Sequence, residues 1–270
     1  MKRRKNKRQA TAVLVAMVAM VAGGCSDPPL HTYTHEFLLP MTPIKDQGKR
    51  DLCWAYAMLA TIETEHILRG DSVNLSGVYL GRMLKDYQEN VVQRPYSEQA
   101  MGQTALNLLQ HYGVVGYEVL PDDATDNLKT PENVFMLGAK YTPLEFAHSV
   151  CAPGEYIGLT CFPDSPYYQK IDVPIPDNWE HNRLLNIPAD TLRQRVDRAL
   201  QHRHPVCYET LEHAMTIVGM AHDEDHNACY VMKNSWGTNN PYYGLFYIPV
   251  SQAWEEVVAV YMTCDAYEGK

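Results

Sequence analysis

The sequence predicts an α+β protein, with helices gathered in its first half and strands in its second. Residues 45–113 carry helical patterning, apolar runs of strand length dominate the later part, and the helical signals that interrupt them are short. The first helix is expected from Cys53 to Leu68, a stretch without Gly or Pro, with Asp51 placed to cap it. Its first half is apolar nearly all round, as a buried helix should be. A second helix lies in "NLSGVYLGRMLKDYQE", with a cap signal at Asn74 or Ser76 and Val78, Leu80 and Leu84 turned inward. A third, in "EQAMGQTALNLLQHYG", turns Leu106, Leu108 and Leu109 to the core and closes at Gly113. Two shorter helices follow in "TPLEFAHSV" and "PADTLRQRVDRALQ". Strands are expected in "HPVCYET", "AMTIVGMA", "ACYVMKNS", "GLFYIPV" and "VVAVYMT". A helical lobe (41–120) followed by a β-rich lobe (121–270) leaves a cleft between them as the natural place for a site.

The first 24 residues stand apart. "MKRRKNKR" is a basic leader and "ATAVLVAMVAMVA" an apolar stretch short of the ~20 residues a membrane span needs. It runs into Ala22-Gly23-Gly24-Cys25, which resembles a bacterial lipobox in which Cys25 would carry the lipid; the alternative is an ordinary secretory signal cut near Gly24. Either reading implies export, and lipidation implies a membrane-attached lipoprotein of the bacterial cell envelope, with residues 25–40 as a tether. Six of the 23 Lys and Arg lie in this leader and none of the 32 acids, so the remainder is strongly acidic and holds no basic patch for nucleic acid. With 46% hydrophobic residues the whole chain can bury a substantial core. Beyond Cys25 and Cys53 there are Cys151, Cys161, Cys207, Cys229 and Cys264. Export permits disulfides, Cys151 with Cys161 being one pairing, and buried free thiols are the alternative. No CxxC or metal-like Cys/His spacing occurs, and no cofactor is expected. His202, His204, His222 and His226 read as solvated turns, and the Tyr-rich "DSPYYQK" and "NNPYYG" as packing.

One cysteine stands where chemistry would need it. A thiol at a helix N-terminus faces unpaired N–H groups and the positive end of the helix dipole, both of which favour thiolate. To attack a carbonyl it also needs a base that can pass a proton to the leaving group, and donors for the oxyanion. The β half offers His213 directly before an apolar strand and Asn234 at the end of the next, an amide able to fix the imidazole tautomer without taking its proton. Singly, each residue is more often core or turn than catalyst; together and in this order they point to nucleophilic catalysis.

These blocks, "DQGKRDLCWAYA", "EHAMTIVG" and "KNSWG", resemble the three signature blocks of the papain family of cysteine peptidases. The resemblance implies a two-lobed fold with a β-barrel-like second lobe. It makes Cys53 the nucleophile, followed by Trp54, with His213 as base, Asn234 as orienting group, Gln47 as oxyanion donor and Trp236 as shield of the His–Asn contact. His213 and Asn234 come later than in papain itself, so something is inserted between. "KYTPLEFAHSV", "EYIGLTCFP", "PYYQKIDV", "NIPADTLRQRVDRALQHRHPVCYET" and "SQAWEEVVAVYMT" resemble the bleomycin hydrolase and aminopeptidase C branch, in a trimmed form.

This chain departs from that pattern in three places. Asp51-Leu52 precedes the nucleophile, placing an anion near the thiol unless Asp51 is occupied as a cap. Gln99-Ala100 stands where family members have a glycine pair that meets the substrate backbone. And "CDAYEGK" replaces the arm that makes the branch aminopeptidases, so an open cleft is expected. The implied function is a thiol peptidase acting on peptides or proteins. A cell-wall amidase or other thiol acyl-transferase, and a catalytically silent peptide-binding lipoprotein, are the competing readings.

Overall fold

The computed structural model describes residues 31–125, 127–136 and 138–270; the leader and Cys25 lie outside them. Helix α1 spans Cys53–Leu68, as the sequence indicates, and is followed by α2 (Gly77–Asp86), a π-helical continuation (Tyr87–Val92) and α3 (Gly102–His111). Ser76 caps α2, its hydroxyl accepting the Tyr79 N–H at 3.0 Å. Asp51 does not cap α1: Leu52 occupies that position, buried, with no side-chain cap. Gly113 closes the third helical region at φ +85°, where any Cβ would lie 2.1 Å from the backbone of Pro143. Two further helices, α4 (Pro143–Val150) and α5 (Ala189–Gln201), match the shorter helical signals, with a Thr142/Glu145 capping box opening α4. Single turns α6 (Val250–Ala253) and α7 (Cys264–Glu268) complete the helical set.

The strands are β1 (Thr34–Leu38), β2 (Val134–Met136), β3 (Ala139–Tyr141), β4 (Tyr156–Thr160), β5 (Gln169–Asp172), β6 (Arg183–Asn186), β7 (Val206–Thr210), β8 (Ala214–His222), β9 (Ala228–Lys233), β10 (Leu245–Pro249) and β11 (Val257–Thr263). β2 and β3 form a small hairpin; the rest make one sheet in the order β10-β9-β8-β7-β11-β4-β6-β5, with β1 on β8. Among the described residues the barrel-like closure expected of the second lobe is absent: the path runs open from β10 to β5. β1 falls inside the segment read as a tether. It pairs with residues 219–222 of β8, where β7, paired with residues 214–217, has left that edge free. Gly219 permits the approach, since a Cβ there would meet the Phe37 carbonyl oxygen at 2.5 Å.

The sheet separates two cores, and strand alternation assigns residues to each. On β7, Val206 and Tyr208 face one way while Cys207 faces the other; on β11, Val260 and Met262 oppose Ala259 and Tyr261. One face packs on α1–α4, the other on α5 and α6. Cys151 belongs to the first core and Cys161 packs on the second; these and the other described cysteines are free thiols. His204 is not a solvated turn residue. Its Nδ1 lies 2.8 Å from the buried Glu65 carboxylate of α1 and its Nε2 3.2 Å from the Lys270 carbonyl, contacts that raise its pKa.

Candidate active site

Cys53 is the first residue of α1, so its thiol sits at the end of a helix whose leading N–H groups lack helical partners. The backbone N–H groups of Ala214 and Trp54 draw its pKa down, but burial outweighs them, with Glu209 and Asp51 adding to the rise, and the isolated thiol is pushed up to about 11. His213 is pushed the opposite way, again by burial. Each charge alone is thus disfavoured. A proton passing from thiol to imidazole would create both charges together, each offsetting the cost of the other.

A tight turn aims the histidine. Between β7 and β8 the Thr210 N–H reaches the His213 carbonyl at 2.9 Å, and the Thr210 hydroxyl accepts the His213 N–H at 3.1 Å. Across the β8–β9 pair, His213 Nε2 meets Asn234 Oδ1 at 2.7 Å. The Ser235 N–H reaches the same atom at 2.7 Å, and since an N–H can only donate, that atom must be the amide oxygen. His213 therefore carries its proton on Nε2, and Nδ1 is left to accept one. Trp236 stacks on the imidazole, centroids 4.4 Å apart, and is itself braced edge-on by Phe246. Asn234 is buried at 3% exposure, sheltered from competing water.

Gln47 is brought to the same place by a different strand of contacts. Its N–H donates to the Ser235 carbonyl at 2.8 Å, and Asp46 bridges to Trp236. The side chain is held at both ends: Oε1 accepts from the Ser235 hydroxyl and Nε2 donates to the Arg50 carbonyl, each at 2.6 Å. One Nε2 hydrogen remains for a ligand, in a cleft of about 430 Å³ that Gln47, Cys53, Trp54, His213 and Trp236 line. Trp54 is fully buried and its indole N–H is shared by the Asp51 and Glu98 carbonyls, joining the start of α1 to the wall that bears Gln99 and Ala100.

With Gln47 as the oxyanion donor that the sequence implies, Gln47→Ala would lower kcat by ~10²–10³ with little change in KM, as loss of one such donor does. Steady-state kinetics on a peptide amide checks it; a change confined to KM would place Gln47 in ground-state binding.

Three features of the site escape a motif reading. A buried network lies behind it: Glu63 of α1 binds Lys45, the Thr42 hydroxyl and the Leu75 N–H, while Lys233, adjacent to Asn234, donates to Thr42 at 2.7 and 2.9 Å and lies 3.9 Å from Glu63. The loop 173–182 forms part of the cleft wall through Asp177. It is tied down by Asn178, by Trp179 donating to the Gln99 carbonyl at 2.9 Å, and by Glu180 on Thr104 and Asn107 of α3. Glu209 of β7 is a buried acid in an apolar strand, and that break in the pattern was its one visible sign.

No family model matches the chain. Among curated proteins it is similar to ananain of Ananas comosus, 23% identical over 205 residues that cover 73% of this chain. Those residues span 49% of ananain, so the chain matches about half of that relative's length. Among solved structures, PepW from Lactobacillus rhamnosis HN001 superposes with a TM-score of 0.66 at 15% identity, over 86% of this chain and 82% of that one. Digestive procathepsin L 3 from the Tenebrio molitor larval midgut gives 0.51 at 16%, over 88% and 71%. The helices packed on an open sheet, with the cleft at the start of α1, are the papain-like α+β fold.

Proposed function

We propose that the chain is an exported, lipid-anchored cysteine peptidase that hydrolyses peptide bonds through a Cys53 thioester. The observation that carries this is the fixed His213 tautomer, Nε2–H on Asn234 and Nδ1 open, beside a thiol at a helix N-terminus. Cys53 Sγ attacks the carbonyl carbon as its proton passes to His213 Nδ1, and the oxyanion is held by the Cys53 N–H and Gln47. Collapse breaks the C–N bond, His213 returning the proton to the departing amine. Water, deprotonated by His213, then opens the thioester. An irreversible thiol-directed peptide inhibitor should label Cys53 stoichiometrically, and a peptide digest should show cleavage. Labelling without cleavage would leave a binding protein.

The cleft reads as open to internal bonds. Its lining comes from residues 47–51, 53–54, 99–100, 177, 209–214 and 236. Residues 264–270 instead pack against α5, where Arg195 stacks over Tyr267 at 4.6 Å and donates to its carbonyl. Peptides differing only in N-terminal acetylation should be cut at comparable rates; strict dependence on the free amine would mean aminopeptidase action. For the envelope location, the basic and apolar leader ending at Cys25 is the support. No helix of the described residues is long and apolar enough to cross a membrane. Labelling with a fatty-acid analogue should mark the wild type and spare Cys25→Ser.

A further inference from the structure

Charge, more than shape, distinguishes this cleft. Asp51, Asp177, Glu209 and Glu212 line it against Lys49 and Arg50. Glu209 is the member that needs an explanation. It is 4% exposed, yet it lines the cavity and acts electrostatically on the Cys53 thiol, which places it near the reacting atom. Its carboxyl is met by the Gly102 N–H at 3.3 Å and the Tyr261 hydroxyl at 3.2 Å, both neutral donors. Among the described residues no Lys, Arg or His lies within ion-pair distance of it. A carboxylate buried without a counter-charge is costly, and a cation arriving through the cavity would offset that cost.

Resting on the peptidase reading, we propose that Glu209 is the specificity-determining residue of this cleft and that it selects peptide substrates carrying a cationic nitrogen beside the scissile bond. Asp177 reinforces it, for the loop that bears it is fastened to the wall at Gln99 and to α3. Arg50 and Lys49, on the Gln47 side of α1, offer no counter-ion to Glu209. The cationic nitrogen can belong to a Lys or Arg side chain or to the substrate's own α-ammonium, and these two sources separate experimentally.

Empty, the carboxyl is raised by burial, with Asp177 nearby, to about 8. The groups around it include no cationic side chain: Cys207 on its own strand, Tyr261 of β11, Cys53 of α1 and Asp177 of the loop, while α3 offers only the partial positive charge of its first N–H, Gly102, which offsets part of the cost of ionisation. Binding a cation draws on the ionised form, so a preference for a Lys or Arg side chain should grow as pH rises from 6 to 8.5, whereas a preference for an α-ammonium, which itself titrates at ~8, should pass through a maximum. Expressed as a ratio between two substrates at one pH, it is free of the titration of Cys53 and His213.

The test is a peptide series placing Lys, norleucine or Glu at each of the two positions on either side of the cleaved bond, each with free and acetylated N-termini. At one position Lys should exceed norleucine by at least ~10-fold in kcat/KM, about 1.4 kcal/mol, with Glu the poorest. Survival of the preference after acetylation assigns it to the side chain; a preference seen only with free termini assigns it to the α-ammonium. In Glu209→Gln the ratio should collapse while Cys53 labelling by a small alkylating reagent reports a folded site. Equal rates for Lys and norleucine at every position in the wild type, which requires no variant, would overturn the proposal, as would an unchanged ratio in Glu209→Gln. If no peptide of any composition is cut, the peptidase reading fails and this inference with it.

Discussion

Cys53→Ala and His213→Ala should each reduce peptide hydrolysis by on the order of 10⁶-fold, because nucleophile and base act as one unit and loss of either resembles loss of both. The protein should nonetheless remain folded. Cys53 begins α1 and only partly enters the core, so alanine removes one sulfur without disturbing the helix. His213 is held by its backbone contacts with Thr210, which alanine keeps. Asn234→Ala should be milder, since the amide orients the imidazole and does not react. Its loss should appear mainly in kcat, through the tautomer that the Ser235 N–H and Asn234 oxygen now fix. Circular dichroism alongside turnover checks both points. A Cys53→Ala protein that still cleaved a peptide amide would rule out the thiol mechanism.

The largest effect on stability should come from Glu63→Ala. The carboxylate is wholly buried and serves Lys45, Thr42 and the Leu75 N–H, with Lys233 close by. Burial already lowers the Lys233 pKa to about 8, against the pull of Glu63 and with Lys45 adding to the drop. Removing the only anion of the group leaves two ammonium groups in a dry interior, a change that typically costs ~3–5 kcal/mol. Urea denaturation measures it. Replacing Lys233 by Met in the same protein should restore part of the loss, because the two sites share one network. A cost below ~1 kcal/mol would mean that water reaches the group. The catalytic consequence should follow the structural one, for Glu63 joins the helix of Cys53, the strand end before Asn234 and the segment leading to Gln47.

Much of this architecture was legible in the residues. α1 spans Cys53–Leu68 as expected, inside a run free of Gly and Pro, and β7 to β11 fall in the apolar runs, because long periodic segments with two-sided burial leave a strong pattern. Short elements did not. β1, β5 and β6 are edge or near-edge strands of four or five residues with mostly exposed or half-buried side chains, too little alternation to stand out. Asp51 illustrates a local rule overridden: its N–H is taken by Glu98 at 2.9 Å, and the buried Leu52 takes the cap position because packing there outweighs a capping hydrogen bond. Cys53, His213 and Asn234 stood out in the sequence by order and context, and the structure places Cys53, His213 and Gln47 on one cleft with Asn234 hydrogen-bonded to His213. The Glu63 network was not, since its three charged members are 18 and 170 residues apart and only folding makes them neighbours.

The pairing of β1 with β8 has a bearing on where a membrane-attached form could work. The folded body is anchored from Thr32, whose N–H and hydroxyl both donate to Glu224, and from Tyr33, which stacks on Tyr247, so a lipid on Cys25 would hold it by the six residues 26–31. Fully extended, such a leash spans no more than ~20–22 Å, less than the width of the bilayer that anchors it. Two of those residues are the prolines Pro28 and Pro29, which stiffen it further. On the proposed reading, a peptidase held this way would work in a thin layer next to the lipid headgroups, and its substrates would have to come to that layer: membrane-proximal loops, nascent secreted chains, or peptides passing across the envelope, rather than proteins dissolved far from it.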